Sequence, residues 1–382
     1  MPPRNSFSFT LRHAVSDCMS TICRRTPRHS KLSPVQPCIL SRRSSSGSSR
    51  LSRRINIPPP FPVTPACPEP TCTCAPTPKM PEGLEIDYAR DLNGTMAPYA
   101  QQLLISTGQG DWRSRIEEDG VDSGWGMLGR GVKGLVGRGG RFADPYNNIM
   151  ITNSSFSPSE PDNTQTASAL LFPSFHYLPT IPLDPASLET FVHAFLLPAA
   201  LHPAHSALPA SQQSTMTRDT TLQSPASFPG LTRIQHSPTI LICGHGHRDQ
   251  RCGIMGPVLR DEFRRVLGMK GLGVGGDDGN GAGVIDAVGK ANVGLISHIG
   301  GHKYAGNVII YLPPKTQEDE GKGSGEKKDE GGQMSLAGKG IWYGRVEPRH
   351  VEGIVEETVL GGKVVSELFR GGVGEGGEVL RL

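Results

Sequence analysis

The chain has 382 residues and a formal net charge of +3, with 39 basic and 36 acidic side chains. Residues 1–57 carry ten Arg, one Lys and one acid, a net +10, so the remainder is −7. A net positive charge that is confined to one end argues against nucleic-acid binding. No apolar run is long enough to span a membrane, and eight Cys are too few for a disulfide scaffold. The 48 Gly and 33 Pro indicate that part of the chain does not pack.

Residues 1–57 predict a mitochondrial transit peptide, because they are rich in Arg and Ser and nearly free of acids. Apolar residues recur there at helical spacing, namely Phe7, Leu11, Ala14, Val15, Cys18, Met19 and Ile22. The alternative is a disordered basic tail that binds acidic partners. We expect import into mitochondria, to the matrix or the intermembrane space.

The first half of the chain beyond the leader predicts an N-terminal α/β domain over 83–202, preceded by a Pro-rich extended linker at 58–82. Short strands are expected at 101–107, 147–156, 167–172 and around 175–177. A helix is expected over 186–198, closed by Pro198. Residues 203–237 are rich in Ser, Thr and Pro and predict a second linker or an insertion.

Residues 238–382 predict a second α/β domain, whose order of elements suits a thioredoxin-like sheet. The pattern indicates a buried strand that stops at Gly244, a helix at 256–267 and a Gly-rich loop at 271–289. Two strands around a Gly loop follow at 291–313, then a charged insertion at 315–340, a strand at 341–346 and a helix at 350–362. The fold class is therefore α/β, with a C-terminal thioredoxin-like domain and a smaller N-terminal α/β domain.

Two short loops that follow apolar strands contain metal-binding side chains. Cys243 and Cys252 lie in the first loop, and His298 and His302 flank a Gly pair in the second. Two thiols and two imidazoles make one complete ligand set for a metal centre. Tetrahedral Zn²⁺ is common with such ligands, but eight residues between the thiols are too many for a zinc finger. The same set also holds a Rieske-type 2Fe–2S cluster, and spacing alone favours neither.

Charged and imidazole side chains border these loops. His245 and His247 alternate with Gly near the first thiol, and we expect them beside the centre or in solvent. Arg248, Arg251 and Lys303 would raise the potential of a bound centre or dock an acidic partner, and the alternative is ordinary surface charge.

A separate group of thiols lies in the Pro-rich linker at Cys67, Cys72 and Cys74. These residues predict a thiol–disulfide switch, a transient metal site or no function. A linker offers no scaffold that lowers a thiol pKa, which argues against a preformed catalytic role.

The joint Cys-x8-Cys and His-x-Gly-Gly-His pattern resembles the sucrase/ferredoxin-like family of thioredoxin-fold 2Fe–2S proteins, as does the stretch 92–119. The resemblance covers 83–202 and 238–370. It implies a 2Fe–2S cluster held by Cys243, Cys252, His298 and His302, and a role as a one-electron carrier or redox regulator with a protein redox partner. We expect such a role rather than that of a metabolic enzyme.

Two other classes remain as alternatives. A thiol–disulfide oxidoreductase would use Cys243 with Cys252, or the linker thiols, but the sequence has no Cys-x-x-Cys motif. A zinc-stabilised structural or assembly factor would use the same four ligands without redox turnover.

Overall fold

A computed structural model describes residues 58–276, 284–315 and 334–382. The predicted transit peptide lies outside the described residues, as do 277–283 of the predicted Gly-rich loop and 316–333 of the predicted charged insertion. Among the helices that the structure describes, none combines the length and the apolar character that crossing a membrane requires.

The strands within the described residues cover both halves of the chain. In chain order they are β1 (Val63–Thr64), β2 (Gln101–Ser106), β3 (Ile149–Ser154), β4 (Thr166–Phe172), β5 (His176–Pro182), β6 (Thr232–Arg233), β7 (Thr239–Cys243), β8 (Gly273–Gly276), β9 (Lys290–Ile296), β10 (Val308–Tyr311), β11 (Gly340–Tyr343), β12 (Val364–Val365), β13 (Phe369–Val373) and β14 (Val379–Leu380).

The α-helices of the described residues are fewer and mostly short. They are α1 (Gly124–Val136), α2 (Pro185–Phe191), α3 (Ala210–Thr215), α4 (Gln250–Met269) and α5 (Val351–Ile354). Helices α2 and α5 each continue as a π-helical turn, through Leu196 and Leu360 respectively.

The strands form one large mixed sheet that runs through both halves of the chain. Its order is β14-β13-β11-β10-β7-β9-β3-β2-β4-β5-β6, with β8 paired to β9, while β1 and β12 form a separate parallel pair. The join between the halves is short: β3 pairs with β9 in antiparallel register at Ser154 and Ile296. The α/β class expected from the sequence is confirmed, whereas the division into domains at 83–202 and 238–382 stays a prediction.

Three apolar clusters surround the sheet. Helices α4 and α5 cover one face of the C-terminal half, and α1 and α2 cover the N-terminal half. The third cluster draws residues from both halves, and in it Phe172 of β4 stacks on Tyr311 of β10 with ring centroids 4.1 Å apart. The Trp342 indole donates to the Tyr99 hydroxyl, which bonds to the hydroxyl of Tyr311. The two halves of the sheet therefore share a core.

Several elements differ from the sequence expectations. Helix α4 begins at Gln250 rather than at 256, because the Asp249 side chain accepts from the backbone N–H of Arg251 and caps it. Pro257 is inside this helix. Strand β8 lies within the segment 271–289, which was predicted to be a loop. Helix α1 was not predicted, because its thirteen residues include five Gly, which disfavour a helix.

The predicted linker 58–82 runs mostly without helix or strand, as an extended segment. It is packed against the C-terminal half: Phe61 is fully buried against Phe369, and β1 pairs with β12. Residues 203–237, predicted as a linker or insertion, contain α3 and two 3₁₀ turns.

Candidate metal centre

The structure brings the four predicted ligands to one end of β7 and β9. Cys243 is the last residue of β7, and Cys252 is in the first turn of α4. His298 follows β9 by two residues, and His302 begins a 3₁₀ turn. Because β7 and β9 are parallel neighbours, their carboxyl ends deliver both loops to the same edge of the sheet.

The two thiols form a buried pair, with Cys243 1% and Cys252 0% exposed. A hydrogen bond from Cys252, together with an interaction with His298, holds the pKa of Cys243 well below its usual range despite burial. The hydrogen bond to Cys243 and burial raise the pKa of Cys252. One sulfur is thus prepared to be a thiolate, the form that binds metal.

The second loop turns sharply between its two histidines. Gly300 and Gly301 have φ angles of 86° and 74°, in the left-handed region that favours glycine. A Cβ on Gly301 would lie 2.5 Å from the guanidinium of Arg370. This turn brings the rings of His298 and His302 to a centroid distance of 5.2 Å, tilted by 38°.

Both histidines have a buried ring nitrogen without a partner. Nδ1 of His298 and Nδ1 of His302 are shielded from solvent and form no hydrogen bond within the described residues. The other nitrogen of His302 lies 3.9 Å from Asp249, and the side chain is 44% exposed. Desolvation lowers the pKa of His302, which favours the neutral imidazole that binds metal.

His245 positions the histidine loop. It is 1% exposed, and its Nε2 lies 2.9 Å from the carbonyl oxygen of Trp112 and 3.0 Å from that of Arg113. Its Nδ1 accepts the backbone N–H of His298 at 3.0 Å. These partners assign the proton to Nε2, so His245 holds the His298 backbone and does not offer a free nitrogen to a metal.

Arg370, the second residue of β13, is a buried cation next to the two loops. It is 1% exposed and donates to the carbonyls of Gly300 and Thr95 and to the side chain of Asn307. No Asp or Glu of the described residues forms an ion pair with it. Burial lowers the pKa of Arg370 to about 10, while the charges of the thiol pair act in the opposite direction.

The predicted docking charges have local partners. The Arg251 guanidinium pairs with Asp249 at 2.9 Å and is only 11% exposed, and Lys303 pairs with Asp87 at 2.8 Å. Arg248 is exposed and reaches the hydroxyl of Ser114. His247 is exposed and contacts a carboxylate oxygen of Asp111 at 2.7 Å.

The linker thiols Cys67, Cys72 and Cys74 form no disulfide. Burial raises the pKa of Cys67 to about 12, so this thiol is protonated at neutral pH. Cys72 lies between Glu352 and Arg265, at 3.3 and 3.4 Å. The structure thus gives Cys67 and Cys72 local contacts that hold the linker on the C-terminal half.

Sequence reasoning missed Arg370 and the carbonyls of Trp112 and Arg113. Arg370 lies far along the chain from the ligand loops, and backbone carbonyls leave no trace in composition. The one sequence signal for Arg370 was its position in a strand, FRGGV, whose other residues are apolar or Gly.

The model of the sucrase/ferredoxin-like family matches residues 92–371. The chain belongs to this family. It is 31% identical over 321 residues to altered inheritance of mitochondria protein 32 of Debaryomyces hansenii, with 80% of this chain and 95% of the relative covered.

The Meyerozyma guilliermondii protein of the same name is 28% identical over 323 residues, covering 80% of this chain and 94% of the relative. The protein of that name from Saccharomyces cerevisiae is 33% identical over 147 residues, which are 37% of this chain and 36% of the relative. No solved structure shows a significant match.

Proposed function

We propose that this chain is a mitochondrial one-electron carrier or redox regulator, with a 2Fe–2S cluster held by Cys243, Cys252, His298 and His302. The observation that carries the proposal is the pair of buried, unpartnered Nδ1 atoms on the two histidines. A buried polar atom without a partner costs about 1–3 kcal/mol. A metal–nitrogen bond removes that cost at both positions, and both are positions that the sequence pattern selects.

The donors lie in two pairs, because Cys243 interacts with Cys252 and the rings of His298 and His302 are 5.2 Å apart, and this arrangement suits a two-metal centre. A structural zinc ion needs four donors around one point. A Rieske-type cluster needs two thiolates on one iron and two imidazoles on the other.

The local charge also suits an anionic group. A buried guanidinium without a carboxylate partner is unfavourable, and Arg370 is in that position beside the thiol pair. A centre that carries thiolates would provide the missing negative charge. The Arg370 hydrogen bond to Gly300 fixes the histidine loop at the same time.

When bound, the cluster would supply a one-electron redox couple. Cys243 and Cys252 would hold its buried side, and the 44% exposed ring of His302 would form its edge toward solvent. An electron-transfer partner would therefore dock on the histidine side. Neutral imidazoles make this centre less negative than an all-Cys ferredoxin, which raises its potential.

A mitochondrial location has two supports. The relatives are named for the inheritance of mitochondria, and residues 1–57 have the composition of a transit peptide.

A thiol–disulfide oxidoreductase is the second candidate, because Cys243 and Cys252 are neighbours and the pKa of Cys243 is lowered by its partner. Burial of both sulfurs opposes this function, since a disulfide of a second protein must reach the attacking thiolate.

Metal and sulfide analysis of anaerobically purified protein separates these candidates. We expect two irons and two acid-labile sulfides per chain, with an electron paramagnetic resonance signal after reduction. One zinc without sulfide, or metal-free protein with a reversible Cys243–Cys252 disulfide, would overturn the proposal.

Ligand exchange provides a second prediction. His302→Cys is expected to retain a cluster at a lower reduction potential, because a thiolate replaces a neutral imidazole. Cys243→Ser is expected to lose the cluster. His247→Asn is the matched control, since His247 is an exposed histidine of the same region that contacts Asp111. Spectra and potentiometry are the measurements, and equal cluster content and potential in all three variants would show that the ligand assignment is wrong.

A further inference from the structure

A cavity of about 560 Å³ opens between α1, β3 and the loop that joins them. Its volume lies in the range of small-molecule sites. Apolar side chains line most of its walls, among them Trp125, Val136, Ile149 and Ile151. None of the four proposed cluster ligands borders the cavity.

The inner end of the cavity carries an unsatisfied polar group. Asn153 is 2% exposed and lines the cavity, and its side-chain Nδ2 has no hydrogen-bond partner. Its backbone is fixed, because its N–H donates to the hydroxyl of Ser297 and its carbonyl accepts the N–H of Ser297. A rigid backbone with a free amide donor at the bottom of an apolar cavity fits a ligand that offers an acceptor.

Arg138, which follows α1, gives the cavity an exposed positive charge. The acidic side chains on the walls are already engaged: Glu117 pairs with Lys133, and Asp144 pairs with His205. Arg138 forms no ion pair within the described part of the chain. It is the wall residue available to an anionic group.

Asn153 lies four residues beyond Ile149 along β3, so this strand forms about 13 Å of the cavity wall. A carboxylate at Asn153 would be a buried anion without a cation, which is unfavourable. A neutral carbonyl suits the inner end, and the carboxylate belongs at the exposed end near Arg138.

We propose that this cavity binds a small linear oxo-carboxylic acid, whose ketone oxygen accepts from Asn153, whose chain packs on the apolar walls, and whose carboxylate pairs with Arg138. The proposal does not depend on the cluster.

Calorimetric titration of the intact protein with three probes tests it. 7-Oxooctanoate carries both polar groups, octanoate lacks the ketone, and 2-octanone lacks the carboxylate. We expect 7-oxooctanoate to bind most tightly. Asn153→Leu is expected to weaken the binding of 7-oxooctanoate about 3- to 10-fold, which corresponds to the loss of one hydrogen bond. The affinity for octanoate is expected to stay unchanged. Arg138→Gln is expected to weaken the binding of both acids and to leave the affinity for 2-octanone unchanged.

Thermal unfolding of each variant shows whether it is folded, and Asn153→Ala, which also lacks a side-chain donor, replaces Asn153→Leu if the latter unfolds. The proposal is overturned if 7-oxooctanoate shows no saturable binding. It is also overturned if the folded Asn153 and Arg138 variants bind all three probes with wild-type affinity.

Discussion

At the scale of single residues, the most informative side chain is Arg370. It is a buried cation whose hydrogen bonds all go to neutral groups, the backbone of Thr95 and Gly300 and the side chains of Thr95 and Asn307. Its planar guanidinium fixes the turn at Gly300. Its charge would stabilise the reduced, more negative state of the proposed centre.

Arg370→Gln is therefore expected to lower the reduction potential of the bound cluster by the order of tens of millivolts. A unit charge several ångströms away in a partly screened interior is worth on the order of 1–2 kcal/mol. Potentiometry followed by optical spectra measures the change. Arg370→Lys, which retains the charge, is expected to restore most of the potential even where it lowers stability.

Arg141→Gln is the control, because Arg141 is 65% exposed and pairs with Glu189 on the surface of the N-terminal half. If the Arg370 and Arg141 variants shift the potential equally, the electrostatic role of Arg370 is wrong.

At the scale of elements, the site depends on the close approach of α4 to the first ligand loop. A Cβ on Gly256 would lie 2.6 Å from the Cα of Gly244 and 2.8 Å from the carbonyl oxygen of Cys243. A Cβ on Gly253 would lie 2.5 Å from the Cα of Gly246. These glycines allow the helix to bring Cys252 to Cys243, because backbone atoms cannot move aside as a flexible side chain does.

Gly256→Ala is accordingly expected to destabilise the protein by about 1–3 kcal/mol, the usual cost of overpacking, and to reduce cluster occupancy. Gly268→Ala is the matched control in the same helix: it is exposed and has no atom within 4 Å of the added methyl group. Alanine there is expected to stabilise by about 0.5–1 kcal/mol. Urea unfolding of both variants measures the difference, and equal effects would contradict the packing argument.

At the scale of the whole molecule, a polar cluster holds the extended segment 58–82 on the C-terminal helices. The Glu352 side chain, 5% exposed, accepts from the backbone and hydroxyl of Thr71 and pairs with Lys270 at 3.2 Å. The hydrogen bond from the Thr71 hydroxyl and its neighbours lower the pKa of Glu352 from 4.5 to about 2. The segment is thus part of the folded unit.

This cluster predicts a pH dependence of stability. A carboxylate whose pKa is lower in the folded state stabilises above its unfolded pKa, and the contribution is lost as pH falls from about 4.5 toward 2. Glu352→Gln is expected to cost on the order of 2 kcal/mol at pH 7, and this cost is expected to shrink toward pH 3.

The control for this prediction is Glu356→Gln, which removes the more exposed partner of Lys270 and is expected to cost less than about 1 kcal/mol. Unfolding free energies at pH 7, 5 and 3 are the measurement. A Glu352→Gln deficit that stays constant down to pH 3 would disprove the linkage.

Local pattern accounts for much of the fold and for the types of residue in the site. The strands at 101–106 and 239–243 follow from short apolar runs, and the donor loops follow from where those runs stop. Helix α1 was not predicted, because its five Gly disfavour a helix. The packing of Leu128 and Val132 against β2 and β4 overrides that low helix propensity. The start of α4 differed because the apolar spacing that predicted this helix begins only at Val258, whereas the helix is capped by Asp249.

The sequence by itself determined the chemistry that is on offer: two sulfurs, two imidazoles and the glycines between them. Only the tertiary structure decided that these donors meet as pairs, that their free ring nitrogens are buried, and that Arg370 stands beside them without a carboxylate. The physical reason is that donor identity is a property of each side chain. Convergence, in contrast, depends on strand pairing between segments distant along the chain, and burial depends on what the whole sheet packs around them.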